Sequence, residues 1–205
     1  MDRPAFAAPP SFGEPLPPAS DRGVVGFLAR RRSSSAVTLR PPAPDEAELA
    51  GLLALSARAP DHGKLAPWRF LVLRDPDKAE LVERLRSLAG LRSDGAKLTA
   101  KLAKLATPPL TVVVISQFIE GDIPEWEQRL SAGAVCTLLT LAAGARGWGA
   151  NWITDWYAYD PEATALLPLH EGERIAGFIH LGTPAEPPLE RARPDLGPLV
   201  EHWRA

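Results

Sequence analysis

Ser131-Ala132-Gly133-Ala134-Val135-Cys136-Thr137-Leu138-Leu139-Thr140-Leu141-Ala142-Ala143-Gly144-Ala145 contains no charged side chain. A helix over this stretch is apolar on all sides rather than along one stripe, so other elements must cover it. The stretch is shorter than the roughly 20 residues a membrane-spanning helix needs, and Ser131, Gly133, Thr137, Thr140 and Gly144 interrupt it. It therefore reads as a buried core helix, spanning about residues 126–146. A subunit interface is one way to cover such a helix.

Two strand-like runs flank this helix in sequence. Pro108 and Pro109 introduce residues 110–115, a β-branched run suited to a central strand. Residues 175–181 form a second run, closed by Gly182-Thr183-Pro184. Residues 70–73 form a shorter run further upstream. Asp45 with Glu48 resembles a capping arrangement for a helix whose Leu49, Leu52 and Leu53 share one face and which Pro60 stops. Residues 81–91 and 97–106 read as two further helices. Ser20 or Asp21 caps a first helix running to about Arg32, with Val24, Val25, Phe27 and Leu28 as its buried stripe.

The whole chain has 205 residues, 45% of them hydrophobic, which suffices for one domain with a substantial core. Its net charge of -2 gives no global field for gripping nucleic acid or an anionic membrane. One cysteine, Cys136, excludes an internal disulfide, a CxxC redox pair and any multi-cysteine zinc site, and suits a reducing cytoplasm. His62, His170, His180 and His202 show no paired metal-ligand spacing. Residues 1–20 carry Pro4, Pro9, Pro10, Pro15, Pro17 and Pro18 and no long apolar run. We expect a disordered Pro-rich leader there, not a secretory signal, and a single domain over residues 21–205.

Three segments carry candidate chemistry. Arg30, Arg31 and Arg32 followed by Ser33, Ser34 and Ser35 set bidentate donors beside short ones, the mixture that holds a phosphate. Arginines in a last helical turn also offset the helix dipole, so a purely structural reading stays open. Arg58-Ala59-Pro60-Asp61-His62-Gly63-Lys64-Leu65-Ala66-Pro67-Trp68-Arg69-Phe70 is a cation-dense loop leading into a strand. Arg58, His62 and Lys64 can donate there to an anion or an electron-rich ring, or stand as solvated charges. Gly147-Trp148-Gly149-Ala150-Asn151-Trp152-Ile153-Thr154-Asp155-Trp156-Tyr157 offers close backbone approach and aromatic rings, which suit a planar ligand or a core corner equally. Lys97, Lys101 and Lys104 recur at helical spacing and read as a solvated face.

Taken in order, these pieces resemble the nitroreductase family of FMN-dependent NAD(P)H oxidoreductases, in its short single-domain form. The matching residues are Arg31-Arg32-Ser33, Arg58-Ala59-Pro60-Asp61-His62, Pro67-Trp68-Arg69-Phe70, Trp126-Glu127-Gln128 before Ser131-Ala132-Gly133, Ala142-Ala143-Gly144-Ala145-Arg146-Gly147, Gly149 with Trp152, and Leu181-Gly182-Thr183-Pro184. The likeness covers roughly residues 24–185.

The resemblance implies an α+β sandwich: a mostly antiparallel central sheet flanked by helices, paired as an intertwined homodimer with two FMN sites at the interface. It implies that Arg31, Arg32 and Ser33 hold the FMN phosphate and ribityl region, with Arg58 and His62 reaching the cofactor from the loop. Trp152, Ile153 and Thr154 would lie along the flavin, and Arg193 would join the phosphate. Ala142, Ala143, Gly144, Ala145, Arg146 and Gly147 would take NADH or NADPH. The implied reaction is a ping-pong reduction of nitroaromatics, quinones or related small acceptors, with the flavin carrying the chemistry and no protein nucleophile or metal. The alternative is a flavin-binding carrier or sensor without turnover. One departure stands out: relatives carry Asn-x-Gln-Pro-Trp where this chain has Lys64-Leu65-Ala66-Pro67-Trp68.

Overall fold

A computed structural model describes residues 22–204. The leader expected over residues 1–20 lies outside the described residues. Five antiparallel strands make one sheet: β1 (Leu39–Arg40), β2 (Trp68–Leu73), β3 (Leu110–Ser116), β4 (Gly149–Ile153) and β5 (Arg174–Pro184). The order is β1-β5-β3-β2, with β4 also paired to β5. Strand β5 is the hub. It pairs with β3 from Arg174 to Leu181, with β4 from Phe178 to Gly182, and with β1 through Thr183 and Pro184. Residues 110–115 and 177–182 are buried, which is why these runs read as unbroken apolar strands rather than alternating ones.

The pleat still sorts the side chains into two cores. On one face Val112, Val114, Ile179 and Leu181 pack against α2 (Glu46–Ser56) and α6 (Glu125–Ala145), with Leu49, Leu52, Val135 and Leu139 as partners. On the other, Val113, Ile115 and Phe178 meet Leu81 and Leu85 of α3 (Asp77–Gly90) and Leu105 of α5 (Ala103–Ala106). Each fully buried Leu, Ile or Val contributes about 1.5–3 kcal/mol by leaving water. Helix α2 starts as anticipated, because the Asp45 carboxylate accepts the Glu48 backbone N–H at 2.8 Å.

Several sequence expectations are corrected. The first helix, α1 (Arg22–Ala29), stops before the arginines. Its Val24, Val25 and Leu28 are 51%, 68% and 51% exposed, so of the expected stripe only the half-buried Phe27 is sheltered by the described residues. The apolar helix α6 is covered on one side only. Val135, Cys136 and Leu139 are buried while Ala134, Leu138 and Leu141 are half-buried and Leu130 is 55% exposed. The expected helix over residues 97–106 is split into α4 (Gly95–Lys101) and α5. Lys101 and Lys104 are not solvated spectators: they bind Asp155 at 3.3 and 2.9 Å. Strand β4 lies in the Gly/Trp-rich segment, where glycines and aromatics hid the pattern of a strand. Trp148 and Tyr157 there are core residues, 4% and 1% exposed, which decides the question for those two rings.

Candidate functional site

Where α1 ends, the chain crosses the mouth of β4. The N–H groups of Arg30 and Arg31 close the helix on the carbonyls of Phe27 and Leu28. The chain then runs extended to Ser34, whose N–H donates to the Ala150 carbonyl at 3.0 Å and whose own carbonyl accepts from Asn151 Nδ2. Helix α6 arrives at the same place from the other side. Gly147, at φ +79°, ends it: the Gly147 N–H donates to Gly144 and the Trp148 N–H to Ala143, both at 2.9 Å. That pair of bonds is a Schellman closure, which places glycine where left-handed backbone is required.

Between these elements lies a cavity of about 320 Å³, lined by Arg30, Arg31, Arg32, Ser33 and Ser34 on one wall and Gly144, Gly147 and Gly149 on the other. Its walls are tight. A Cβ on Gly149 would stand 2.6 Å from Leu39 Cδ2 and 3.0 Å from Ser34 Oγ, so only glycine fits there. Among the described residues no acidic side chain lines the cavity. Arg31 reaches no carboxylate among the described residues and touches only Ser33 Oγ at 3.5 Å. Arg32 donates through Nε to the Leu189 carbonyl at 2.7 Å and stands 3.9 Å from Glu190 at the rim. Three guanidinium groups, two hydroxyls and a close glycine wall form a donor set for a phosphate or similar oxyanion.

Arg193 also comes here. Its Nη2 donates to the Arg31 carbonyl at 3.1 Å and to Glu190 at 2.9 Å, so the C-terminal segment is tied across the arginines. The stretch 142–147 divides. Gly144 and Gly147 face the cavity, whereas Ala142 and Ala143 are 9% and 0% exposed within the core, where a dinucleotide cannot reach their side chains. Ala145 is exposed outside the cavity, and Arg146 is bound to Glu48 at 3.2 Å.

Arg58 and His62 are not brought to this cavity within one chain. Both are exposed, and His62 Nδ1 lies 2.7 Å from Glu127 Oε2 at the start of α6. Trp152 and Ile153 end β4 and Thr154 follows it; none of the three lines the arginine cavity. The Trp152 indole is 40% exposed and donates to the Ala176 carbonyl at 3.2 Å. It lies across Gly177, where a Cβ would come within 2.1 Å of its Nε1. A flat, half-open indole is thus held over the sheet by a glycine, a pairing that separation in sequence concealed. Phe27, Thr140, Trp148, Ala150, Pro184 and Pro188 complete the cavity lining, of which Thr140 and Pro188 carried no motif that singled them out.

The remaining reactive groups are shut away from this chemistry. Burial pushes the Cys136 thiol up to about 12, so it is no nucleophile. Burial, reinforced by the nearby Lys78, brings His180 down to about 3. Among the described residues no group of three or more His, Cys, Asp or Glu is placed to hold a metal ion, and no helix is long and apolar enough to cross a membrane.

A family model described as "Nitroreductase family" matches residues 28–183. The Escherichia coli (strain K12) protein named "Putative NAD(P)H nitroreductase YdjA" is 32% identical over 160 residues, covering 77% of this chain and 86% of the relative. Among solved structures, a nitroreductase-like family protein from Bacillus cereus superposes with a TM-score of 0.79 at 23% identity, covering 92% of this chain and 100% of its own. An FMN-dependent nitroreductase from Clostridium difficile R20291 gives a TM-score of 0.62 at 22% identity, covering 87% and 98%. A protein of Desulfovibrio desulfuricans solved in complex with FMN gives 0.69 at 22% identity, covering 89% and 98%.

Proposed function

Because this chain belongs to the nitroreductase family of NAD(P)H-dependent flavin oxidoreductases, we propose that it binds FMN and passes reducing equivalents from NADH or NADPH to a small acceptor such as a nitroaromatic or a quinone. The observation that carries this reading is the cavity itself: Arg30, Arg31, Arg32, Ser33 and Ser34 converge on one space with no carboxylate in its lining among the described residues.

The chemistry of the donor set fits the phosphate end of FMN. Arg31, Arg32 and Ser33 would hold it, with Arg193 bracing Arg31 through its backbone. Holding a dianion against guanidinium groups and hydroxyls uses charge-assisted hydrogen bonds, which are shorter and stronger than neutral ones. When bound, FMN supplies the hydride and electron transfer that no side chain here provides. The residues of the chain do the rest: they anchor, orient and exclude water. Trp152, Ile153 and Thr154 would offer a flat wall to the ring. Gly144 and Gly147 would leave backbone room for the nicotinamide donor, and donor and acceptor would use one opening in turn, giving ping-pong kinetics.

We also propose that two copies assemble as an intertwined homodimer. Support comes from the open side of α6 with Leu130, and from the exposed Val24, Val25 and Leu28 of α1, all apolar surface that a monomer leaves in water. Pairing would bring Arg58 and His62 of one copy toward the cavity of the other. We place its action in a reducing cytoplasm, which a single cysteine suits, and propose residues 21–205 as one FMN-binding domain preceded by the Pro-rich leader.

The test is direct. Purified protein should be yellow or take up added FMN stoichiometrically, run as a dimer in sedimentation, and oxidise NADH or NADPH with a nitro acceptor. Protein that stays colourless with excess FMN refutes the reading. Protein that binds FMN yet never oxidises either nucleotide refutes the enzymatic part and leaves a carrier or sensor.

A further inference from the structure

The ladder between β3 and β5 slips by one residue near the start of β5. Gly177 pairs with Val114, but the next pair is Ile175 with Ile115, so Ala176 is an extra residue that bulges from the strand. A slip of one residue sends the side chains beyond it to the opposite face of a sheet. Arg174 therefore stands opposite Ser116, the position a regular ladder would give to Ile175. There it shares a cavity of about 230 Å³ with Ser116, Ala176, and Arg129 and Gly133 of α6.

The two cations of this cavity differ in what they already hold. Arg129 is spent on Glu125, one turn earlier in α6, through Nε at 3.0 Å and Nη2 at 2.5 Å. The Arg174 guanidinium makes no hydrogen bond or ion pair among the described residues. Its neighbour Glu173 does not neutralise it. That carboxylate accepts from Arg69 at 2.7 and 2.6 Å, from Gln117 at 3.1 Å and from the His170 N–H at 2.7 Å, and Arg69 holds it well below the usual carboxylate range. Among the described residues no acidic side chain lines the cavity. Beside it lies the half-open Trp152 indole, bonded to the carbonyl of Ala176 in the cavity wall.

A free guanidinium, the Ser116 hydroxyl and a flat ring suit a small aromatic molecule that bears a carboxylate: the acid on Arg174, the ring against the indole. The space is below the roughly 300–1,000 Å³ of sites for larger ligands, which fits one ring and not a dinucleotide. We infer that this cavity takes the acidic end of the electron acceptor, and that Arg174 makes the protein favour aromatic carboxylates over neutral acceptors of the same shape. The inference rests on the flavin reading above, which takes Trp152 as a wall for the flavin. It narrows the acceptor to a charge class that nitroaromatic or quinone chemistry alone does not require.

The experiment uses the full FMN-loaded chain with 4-nitrobenzoate and 4-nitrobenzamide, which differ in charge and hardly in shape, and follows binding of non-reducible benzoate by calorimetry. The unaltered protein gives a kcat/KM about tenfold higher for the acid, the scale of one charge-assisted hydrogen bond. Arg174→Gln brings the ratio to about one by raising KM for the acid, and weakens benzoate binding about tenfold. Arg174→Lys, a point charge in place of a planar fork, keeps part of the preference. Ser116→Ala lowers the preference about threefold. Arg174→Gln melts at the temperature of the unaltered protein, as an exposed side chain without partners requires. Absent benzoate binding, equal use of acid and amide, or a preference that survives Arg174→Gln overturns the inference and leaves the flavin reading intact. A loss of FMN affinity in Arg174→Gln assigns the residue to the cofactor, and a lower melting temperature assigns it to the fold; either result overturns its role toward the acceptor. Unaltered protein that takes up no FMN removes the flavin reading and this inference together.

Discussion

Two groups of cations in this molecule live under opposite rules. Arg30 and Arg31 face an open cavity and make no ion pair with a carboxylate among the described residues. Lys78 and His180 are 1% and 0% exposed between the sheet and α3. Lys78 Nζ donates to the carbonyl of Pro108 and, at 3.4 Å, to that of Ala106, and lies 3.8 Å from Asp75. His180 Nδ1 meets Thr111 Oγ1 at 2.9 Å, while its Nε2 is buried without a hydrogen-bond partner. The buried pair serves the fold: Lys78 ties the end of α5 to α3, and His180 fills the centre of β5 in its neutral form. The open arginines meet no carboxylate among the described residues, which leaves their charge free to act on an anion in the cavity. Charge alone does not reveal function. What matters is whether the protein itself has satisfied the charge.

The contrast is sharpest in stability. Lys78→Ala should destabilise the fold by about 2–4 kcal/mol, because it leaves buried carbonyls without a donor and opens a cavity beneath β3. Urea unfolding measures this, and a loss below about 0.5 kcal/mol would place Lys78 outside the structural group. Acid should act on the same side of the sheet. His180 is neutral in the fold down to about pH 3, whereas in the unfolded chain it takes its proton near the ordinary value of 6.5. Stability is therefore whole above about pH 6.5 and falls as pH drops toward 3, by about 1 kcal/mol per unit from this residue. His180→Asn should flatten that part of the profile, and an unaltered slope would assign it to other groups.

The arginines should behave in reverse. Arg31→Ala should weaken FMN retention by about 1–3 kcal/mol, the scale of a lost charge-assisted bond. Its effect on unfolding should be the smallest of the set, within about 0.5 kcal/mol, as for exposed residues without internal partners. Unchanged FMN affinity would remove Arg31 from the site. A large loss of stability would mean that the open cations are structural after all.

Much of this organisation was legible in the residues. The β-branched run at residues 110–115, the Asp45 cap and the uncharged stretch at residues 131–145 are local patterns, and each formed the element it announced. The arginine–serine cluster was legible as a candidate phosphate site because its chemistry is contained in adjacent residues, and the structure gathers those residues on one cavity. Other features were not. Strand β4 forms because β5 offers it a ladder, and Gly149 and Gly177 give no strand signal of their own. The Trp152 platform needs Gly177, far along the chain, to lie flat. That Ala142 and Ala143 are core while Gly144 faces the cavity depends on which side of α6 meets the sheet.

By itself the sequence determined the elements that carry a local pattern, the absence of an internal disulfide and of multi-cysteine metal chemistry, and the residues able to hold an oxyanion. These follow from local propensity and side-chain chemistry, which travel with each residue wherever it is placed. Only the tertiary structure decided that the end of α6 and the end of α1 share one cavity, and that Lys101 and Lys104 serve Asp155 rather than solvent. It also decided that a bulge in β5 sets Arg174 opposite Ser116, in a cavity shared with α6. Those outcomes depend on through-space distance between segments remote in sequence, and hydrophobic periodicity carries no record of that distance.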